Sequence, residues 1–506
     1  MGLYDFTFYD LINRNGLAFG SRICWREVDD GRQVTFAEYK QQVDLLAGGL
    51  AEAGIAKGDR IGVLGKNSLE FFLLYGAAAC LGSIVLPVNW RLSADEVCYN
   101  LNDCQAKIAF VDAEFQHILA SKQTDLPTIG SCYNLKGDTG EALKFSSLSA
   151  GAKKAAPAEV AASDGFVIIH TAAVGGYPRG ALLSHGNILC AHMHFNCTMA
   201  FTPQDVHVNL LPLFHVAGLF MATSTFHAGG TSLNVSKFEA AEVAQLIEEN
   251  GATLFFDFPP ILDSILKAGA KDGFDLSSIR AVVGLGTPEV IEQFQATTGG
   301  SYYAMYGQTE TSCLATFGRY DDRPGSAGKT IMLGDVQLVD EDDQGVGIGE
   351  VGEITVKGPM VFQGYWGLPE DNGYAFRGGR HHTGDLGRFD ADGYLFYAGR
   401  KAEKELIKPG GENVYPAEVE KVILLHPAVA RTVVIGVPDP KWKEGIKAVC
   451  QLHAHTTLTA AELIAFVGER IARFKKPQYV EFVDALPLKK DGTPDRQAVK
   501  TRYGQA

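Results

Sequence analysis

Along the first 300 residues, the apolar positions alternate between two periods. "TFAEYKQQVDLLAGGLAEAG" (35–54) spaces its apolar residues by three and four and closes on Gly, which predicts an amphipathic helix. "DRIGVLG" (59–65), "KIAFVD" (107–112), "GFVIIHT" (165–171), "HVNLLPL" (207–213), "ATLFFDF" (252–258) and "AVVGLG" (281–286) are short apolar runs and predict strands. Helical patterns lie between most of them, so the order predicts layered α/β structure with largely parallel sheets. "FFLLYGAAACLGSIVLPV" (71–88) is 18 residues without charge, at the lower limit for a membrane span. Gly76, Gly82 and Pro87 divide it into a helix of about three turns and a strand, so a buried helix–strand pair is predicted.

The texture changes after residue 315. Residues 334–400 are rich in Gly and Asp, with short strands such as "GEITVKG" (352–358) and "GYLFYAG" (393–399), the pattern of antiparallel sheet with tight turns. The dense charged stretch "RKAEKELIK" (400–408) follows. A smaller α+β pattern closes the chain: helix "AEVEKVILLH", strands "ARTVVIGV" and "KAVCQLHAH", helix "TAAELIAFVGERIARF", strand "QYVEFVDAL". The division predicted is a large domain over 1–399, a hinge region over 400–408 and a small domain over 409–506. Ala-rich 148–162 reads as a surface connection.

A chain of 506 residues with 46% hydrophobic content can build more than one core. Its net charge of −14 argues against nucleic-acid binding. Residues 401–506 nonetheless carry 17 basic against 13 acidic side chains, +4, while the rest carries −18. A mildly basic end on an acidic body suits a lid over an anionic ligand, and equally an unremarkable drift of surface charge. Nine Cys without a CxxC fit reduced thiols and a cytoplasmic protein. "MGLYDFTFYDLINRNG" is not a secretory signal. "HMH" (192–194), "HH" (381–382) and "HAH" (453–455) lack partners at metal-ligand spacing and read as surface or core histidines.

"TAAVGGYPRGALLSH" (171–185) raises the question of chemistry. It follows an apolar strand and precedes a helical pattern, with Ser184 placed to cap that helix. Its glycines allow close backbone approach to a ligand, and Arg179 supplies charge. It is not a Walker loop, because no GK[ST] follows. "YGQTE" (306–310) offers an aromatic face, a hydroxyl and a carboxylate within five residues: Tyr306 for a base, Thr309 for a phosphate oxygen, Glu310 for Mg²⁺. Asp385, in "HTGDLGRFDADGYLFYAGR" (382–400), suits the two hydroxyls of a ribose, and Arg400 stands at the domain boundary. "DADG" (390–393) reads as a hairpin turn.

Each segment alone reads as a turn or polar loop. Together and in order, "TAAVGGYPRGALLSHGN", "LPLFHVAG", "YGQTE", "GEITVKGPMVFQGYW", "TGDLGRFDADGYL", "GRKAEKELIKPGGENVYPAEVE" and "RFKKP" resemble the AMP-forming acyl-CoA synthetases, within the adenylate-forming ligases. The resemblance runs from residue 34 to 496. It implies a two-step reaction: a carboxylate attacks the α-phosphate of ATP to give an acyl-adenylate and pyrophosphate, then the thiol of CoA displaces AMP. It implies a small C-terminal domain that rotates between the steps. ATP, Mg²⁺, CoA and a carboxylic acid are the implied partners, and a homodimer is compatible with it.

The resemblance also assigns residues. Thr171, Gly176 and Arg179 fall in the pyrophosphate loop. Gly286 and Thr287 line the adenine pocket. Tyr306, Gly307, Gln308 and Thr309 hold the nucleotide, Glu310 holds Mg²⁺, and Asp385 and Arg400 bind the ribose. Lys404 and Lys408 match the hinge segment that contacts the adenylate, and Gly410 and Gly411 the loop that meets the pantetheine arm. His215, Phe258 and Gly284 belong to the acyl pocket. Two positions depart from the family. The loop usually reads near TSGTTGxPKG, so Ala172, Val174 and Gly175 thin its side-chain ligands and Arg179 replaces Lys. Thr493 stands where a Lys contacts the α-phosphate. The apolar, aromatic "LPLFHVAGLF" and "FFDFPP" suit a medium-chain, alicyclic or aromatic acid, and no carboxylate in the first is placed for an α-amine.

Overall fold

The computed structural model describes the chain except residues 1, 2, 4, 138–141, 172–176, 402–405, 410, 411, 413, 441, 490–492 and 506. Among the described residues, two large sheets form the body. One orders its strands Lys329–Thr330, Thr316–Arg319, Ser301–Tyr306, Ala281–Gly284, Leu254–Asp257, Val206–Asn209, Thr231–Asn234, Ile23–Glu27 and Gln33–Thr35. Its middle is parallel, from Ser301–Tyr306 to Ile23–Glu27. The second orders Gly364–Tyr365, Arg179–Ser184, Gly165–Thr171, Ile84–Val88, Arg60–Leu64, Ile108–Val111 and Ser131–Asn134. A four-stranded antiparallel sheet covers Asp335–Val339, Gly352–Lys357, His381–Phe389 and Leu395–Arg400.

A helix that is apolar on every side must be covered on every side. Leu69–Leu81 is buried at every position except Glu70 and ends at Gly82 in the left-handed region (φ 67°). It packs on strands of both sheets, with Trp25 stacked on Phe72 at 4.6 Å. Burying each such ring stabilises the body by about 1.5–3 kcal/mol. The 71–88 run is therefore a buried helix and the strand Ile84–Val88, and no helix among the described residues is long and apolar enough to cross a membrane. Tyr75 donates to the Leu213 carbonyl (2.8 Å), and Asn67 holds both Leu211 and Leu213. These bonds fix the bend after Val206–Asn209, so the strand predicted over 207–213 stops at Asn209.

Two further expectations are corrected. The 165–198 region is not strand, loop, helix. Gly165–Thr171 pairs antiparallel with Arg179–Ser184, and the helix His185–Thr198 begins only after the second strand. Ser184 does cap that helix, accepting from the Asn187 amide. The 148–162 segment is a largely exposed surface connection, as expected, tied to the body by Ala155 N–H to Asp44 O and Ala158 N–H to Cys80 O. In the small C-terminal part, the helix predicted over 459–474 is Ala460–Gly468 followed by a separate turn, Arg473–Lys475. That part, from Ile407 to Tyr503, has apolar clusters of its own around a sheet of Val429–Asp439, Lys443–Leu452 and Tyr479–Phe482.

The core also holds ionisable groups whose neutral forms are favoured by burial. Burial pushes His185, His194, His215 and His227 down to about 4 and His207 to about 3, and lowers His192 as well. Burial raises Asp112 and Asp257 to about 6, and Glu27 upward. Below pH 6 the unfolded chain protonates six histidines that the native state leaves neutral, while the native state protonates up to three acids earlier. The unfolded chain therefore binds more protons, and stability falls as pH drops from about 6 toward 4. Calorimetric Tm should fall steeply across that window, and a Tm unchanged from pH 7 to 4 would contradict neutral burial of these side chains.

Candidate active site

The parallel sheet delivers Tyr306 at the end of Ser301–Tyr306, and the chain reverses at once. Gly307 is required there, because a Cβ would lie 2.0 Å from the Cys313 carbonyl oxygen. The turn is held by Thr311 Oγ1 accepting from the Gln308 amide (3.0 Å) and by the Ser312 hydroxyl donating to Met360 O (2.6 Å). Ser312 and Cys313 both have positive φ, 51° and 81°. Two successive non-glycine residues in that region cost of order 1–3 kcal/mol each and mark a conformation imposed by its surroundings.

This reversal brings Tyr306 to Asp385, at the centre of His381–Phe389. The Tyr306 hydroxyl donates to Asp385 Oδ2 at 2.8 Å. Burial, then the adjacent Asp385 charge, pushes that hydroxyl well above the usual tyrosine range, so it stays a donor. Arg400 Nε lies 3.1 Å from Asp385 Oδ1, and the Tyr397 hydroxyl reaches the same oxygen at 3.5 Å. Gln308 Nε2 reaches Oδ2 at 3.4 Å. The Tyr306 ring stacks on Tyr397 at 6.2 Å. Arg400 Nη1 then donates to the Tyr415 hydroxyl (3.2 Å), across the boundary between the two parts of the chain. Lys408 stands near this group. Partial burial of its ammonium, then the Arg400 charge, pushes it below the usual lysine range.

A second network starts at Glu310. Its Oε1 accepts from the Tyr365 hydroxyl at 2.8 Å, and the same hydroxyl accepts from Arg179 Nη2 at 3.1 Å. The Arg179 guanidinium lies over the Tyr365 ring, 3.9 Å from its centre, and pairs with Asp371 at 2.9 Å. Its Nε is buried and has no hydrogen-bond partner among the described residues. Asn372 clamps the Tyr365 backbone from both sides, Oδ1 accepting from N (2.6 Å) and Nδ2 donating to O (2.9 Å). Thr171 sits at the other side of the hairpin mouth, its hydroxyl 3.4 Å from Arg179 O.

On the apolar side, His215 starts the helix Val216–Ala228, its Nδ1 accepting from the Ala217 amide, and packs edge-on against Phe258 at 5.9 Å. Gly284 lies against the Asp257 backbone, where a Cβ would meet the carbonyl oxygen at 2.1 Å. Asp257 is turned inward. It accepts from the Leu262 amide (3.0 Å) and from the Tyr302 hydroxyl (3.2 Å), and that hydroxyl accepts from Gly286 N–H (2.6 Å). So Asp257 fixes the Gly286–Thr287 turn. Thr287 opens the helix Pro288–Thr298.

Of the residues singled out in the sequence, Tyr306, Gly307, Gln308, Asp385 and Arg400 are brought together, as are Thr309, Glu310 and Arg179, while Lys408 is exposed with its amide bonded to Glu444 (2.7 Å). Gly176, Lys404, Gly410 and Gly411 lie outside the described residues. Thr493 is exposed next to an isolated antiparallel bridge of Leu488 with Pro494. Tyr365, Asp371, Tyr397 and Tyr415 were not singled out, although Tyr365, Tyr397 and Tyr415 stand inside quoted motifs. The "HH" pair is buried, and His382 joins Asp343 and Glu353 in metal-like spacing. Lys401 (2.8 Å) and Arg377 (3.1 Å) already bind Glu353 there, so this is an ion-pair cluster.

An aromatic and carboxylate cradle beside a glycine-rich hairpin, shared between a large α/β body and a small α+β part, is the arrangement of the adenylate-forming ligases. Residues 15–366 match the AMP-binding enzyme family, and 418–493 match the AMP-binding enzyme C-terminal domain. The chain belongs to this family. It is 32% identical over 485 residues to a feruloyl-CoA synthase of an Amycolatopsis species, covering 94% of this chain and 95% of that one. A long-chain-fatty-acid–CoA ligase of Mycobacterium tuberculosis is 31% identical over 93% of each. Among solved structures, a double mutant of o-succinylbenzoate CoA synthetase from Bacillus subtilis, bound with its product analogue, matches with a TM-score of 0.87 at 27% identity over 98% of both chains.

The Arg179–Asp371 pair competes with any phosphate for the same guanidinium. Asp371 is 40% exposed at its side chain, so the pair is worth at most about 1 kcal/mol. Asp371→Asn should therefore tighten inorganic pyrophosphate binding, by up to about fivefold in a direct titration. Weaker or unchanged binding would show that Arg179 does not meet phosphate.

Proposed function

We propose that the protein is an ATP-dependent acyl-CoA ligase, converting a carboxylic acid, ATP and CoA to acyl-CoA, AMP and pyrophosphate through an acyl-adenylate. The observation that carries this reading is the contact of Tyr415 with Arg400. Tyr415 follows, in the "PGGENVY" segment, Gly410 and Gly411, which the family resemblance gives to the pantetheine arm, and Tyr415 itself stands beside the nucleotide cradle. Glu412 of the same segment pairs with Arg91 at 3.0 Å. The likeness to a CoA synthetase bound with a product analogue supports the same acceptor.

In this reading Asp385 and Arg400 take the ribose, Tyr306 and Gln308 the nucleotide, and the Thr171–Arg179 hairpin the phosphates. Electrostatic stabilisation of the developing phosphoryl charge is the main catalytic demand. Glu310 is a buried carboxylate beside that hairpin, with one oxygen already oriented by Tyr365, and a hard oxygen ligand there fits Mg²⁺ completed by phosphate oxygens. Bound there, the ion would neutralise phosphate charge. His215 is held neutral by burial, then by Arg91, so it offers an uncharged wall beside Phe258 to an aromatic, alicyclic or medium-chain acid. Residues 1–399 form the adenylating body, 400–408 the hinge and 409–506 the lid, with the cytoplasm as the compartment.

Thr493 favours a second reading, in which adenylation is impaired. Loss of one charged contact to the transition state slows a step by about 10²–10³. A single-turnover assay with ATP, Mg²⁺, CoA and a panel of acids, run on the native chain and on Thr493→Lys, separates them. Equal amounts of AMP and acyl-CoA from the native chain are expected with at least one acid. Product with an amine or a carrier protein and none with CoA would overturn the acceptor. A large rise in pyrophosphate release in Thr493→Lys alone would favour the impaired reading.

A further inference from the structure

We infer that Lys475 and Glu96 are positioning residues that hold the small lobe for the thioester-forming step and must separate for adenylation. This rests on the two-step ligase reading above.

Lys475, in the turn Arg473–Lys475, places its ammonium between two carboxylates from different lobes. Glu96 Oε1 of the body lies at 2.6 Å, and Glu418 of the helix Pro416–Ile423 contacts it from the small lobe. The Lys475 and Glu418 side chains are only 5% and 8% exposed, and Glu96 17%. The other Glu96 oxygen accepts from the Ala472 amide (3.0 Å) across the same boundary, and from Ser93 N (2.9 Å) and Oγ (2.8 Å), which lock the carboxylate at the start of the helix Ala94–Asp103. A buried ion pair contributes modest net stability, but removing one partner strands a charge. Without Lys475, two carboxylates face each other across the lobe boundary.

Both ends of this contact lead to the site. Glu418 is on the helix that follows Tyr415, the partner of Arg400. Lys421, one turn on, sits 3.1 Å from the centre of the Tyr177 ring. Tyr177 stacks on Tyr99 (5.6 Å), and Tyr99 donates to Pro178 O (3.2 Å). Asp103 pairs with His170 at 2.9 Å. The Ala94–Asp103 helix thus receives the small lobe through Glu96 and braces both feet of the phosphate hairpin through Tyr99 and Asp103. A lobe that turns away to bring residues near Thr493 to the site must release this contact.

The test measures the half-reactions separately in the full-length enzyme: pyrophosphate release without CoA, and acyl-CoA formation from supplied acyl-adenylate. Lys475→Met should slow the second at least tenfold and leave the first unchanged or faster. Equal loss in both steps, or no change in either, would overturn the inference. The exchanged pair Glu96→Lys with Lys475→Glu should recover part of the second step, which a folding defect would not permit. Interlobe distance distributions from one spin label on each lobe supply a readout that does not depend on CoA. Glu96→Gln should shift the population away from the docked distance, and an unshifted distribution would overturn the inference even if the acceptor were not CoA.

Discussion

A buried carboxylate needs a full set of donors, and Asp385 finds them in separate elements. Tyr306 comes from the end of the large parallel sheet, Arg400 and Tyr397 from the neighbouring antiparallel strand, and Gln308 from the strained reversal between them. Arg400 in turn holds Tyr415 of the small lobe. One charge therefore ties together two sheets and, through Arg400, the small C-terminal part of the chain. Glu353 supports this from behind, accepting from Gly384 N–H (3.0 Å) next to Asp385 and binding Lys401 next to Arg400.

The Arg179 side is built on a different logic. The loop has lost hydroxyls relative to its family, and the cation at its base is engaged by protein groups. Arg179 spreads over the Tyr365 ring, shares the Tyr365 hydroxyl with Glu310 and pairs with Asp371. A guanidinium can do this where an ammonium cannot, because its planar fork stacks and binds at once. The replacement of Lys by Arg and the presence of Asp371 thus belong together as a charge whose availability depends on what else is bound.

The architecture was legible where the pattern was long. The helix Phe36–Glu52, capped by Thr35 and Glu38, and the fully apolar Leu69–Leu81 follow from periodicity and caps alone. Strand ends were not legible: Val206–Asn209 stops because Asn67 and Tyr75 seize the next carbonyls, a constraint from residues more than a hundred positions away. The hairpin at 165–184 was misread for a related reason, since "RGALLS" has no strand alternation and is fixed by pairing with Gly165–Thr171 and Gly364–Tyr365. In the site, Asp385, Arg400 and Tyr306 were visible as motif residues. Asp371 and Glu96 were not, because an isolated acid on a helix announces nothing until its distant partner is placed beside it.

The claim on which the rest stands is that Asp385 and its donors form the nucleotide cradle. Equilibrium titration of AMP against the native chain and Asp385→Asn tests it without requiring any turnover. Loss of one oriented, charge-assisted acceptor should weaken AMP by about 10-fold or more, corresponding to about 1.5–3 kcal/mol. Equal affinity in the two proteins would mean that the nucleotide is held elsewhere and that the Asp385 network is only a structural joint between the lobes.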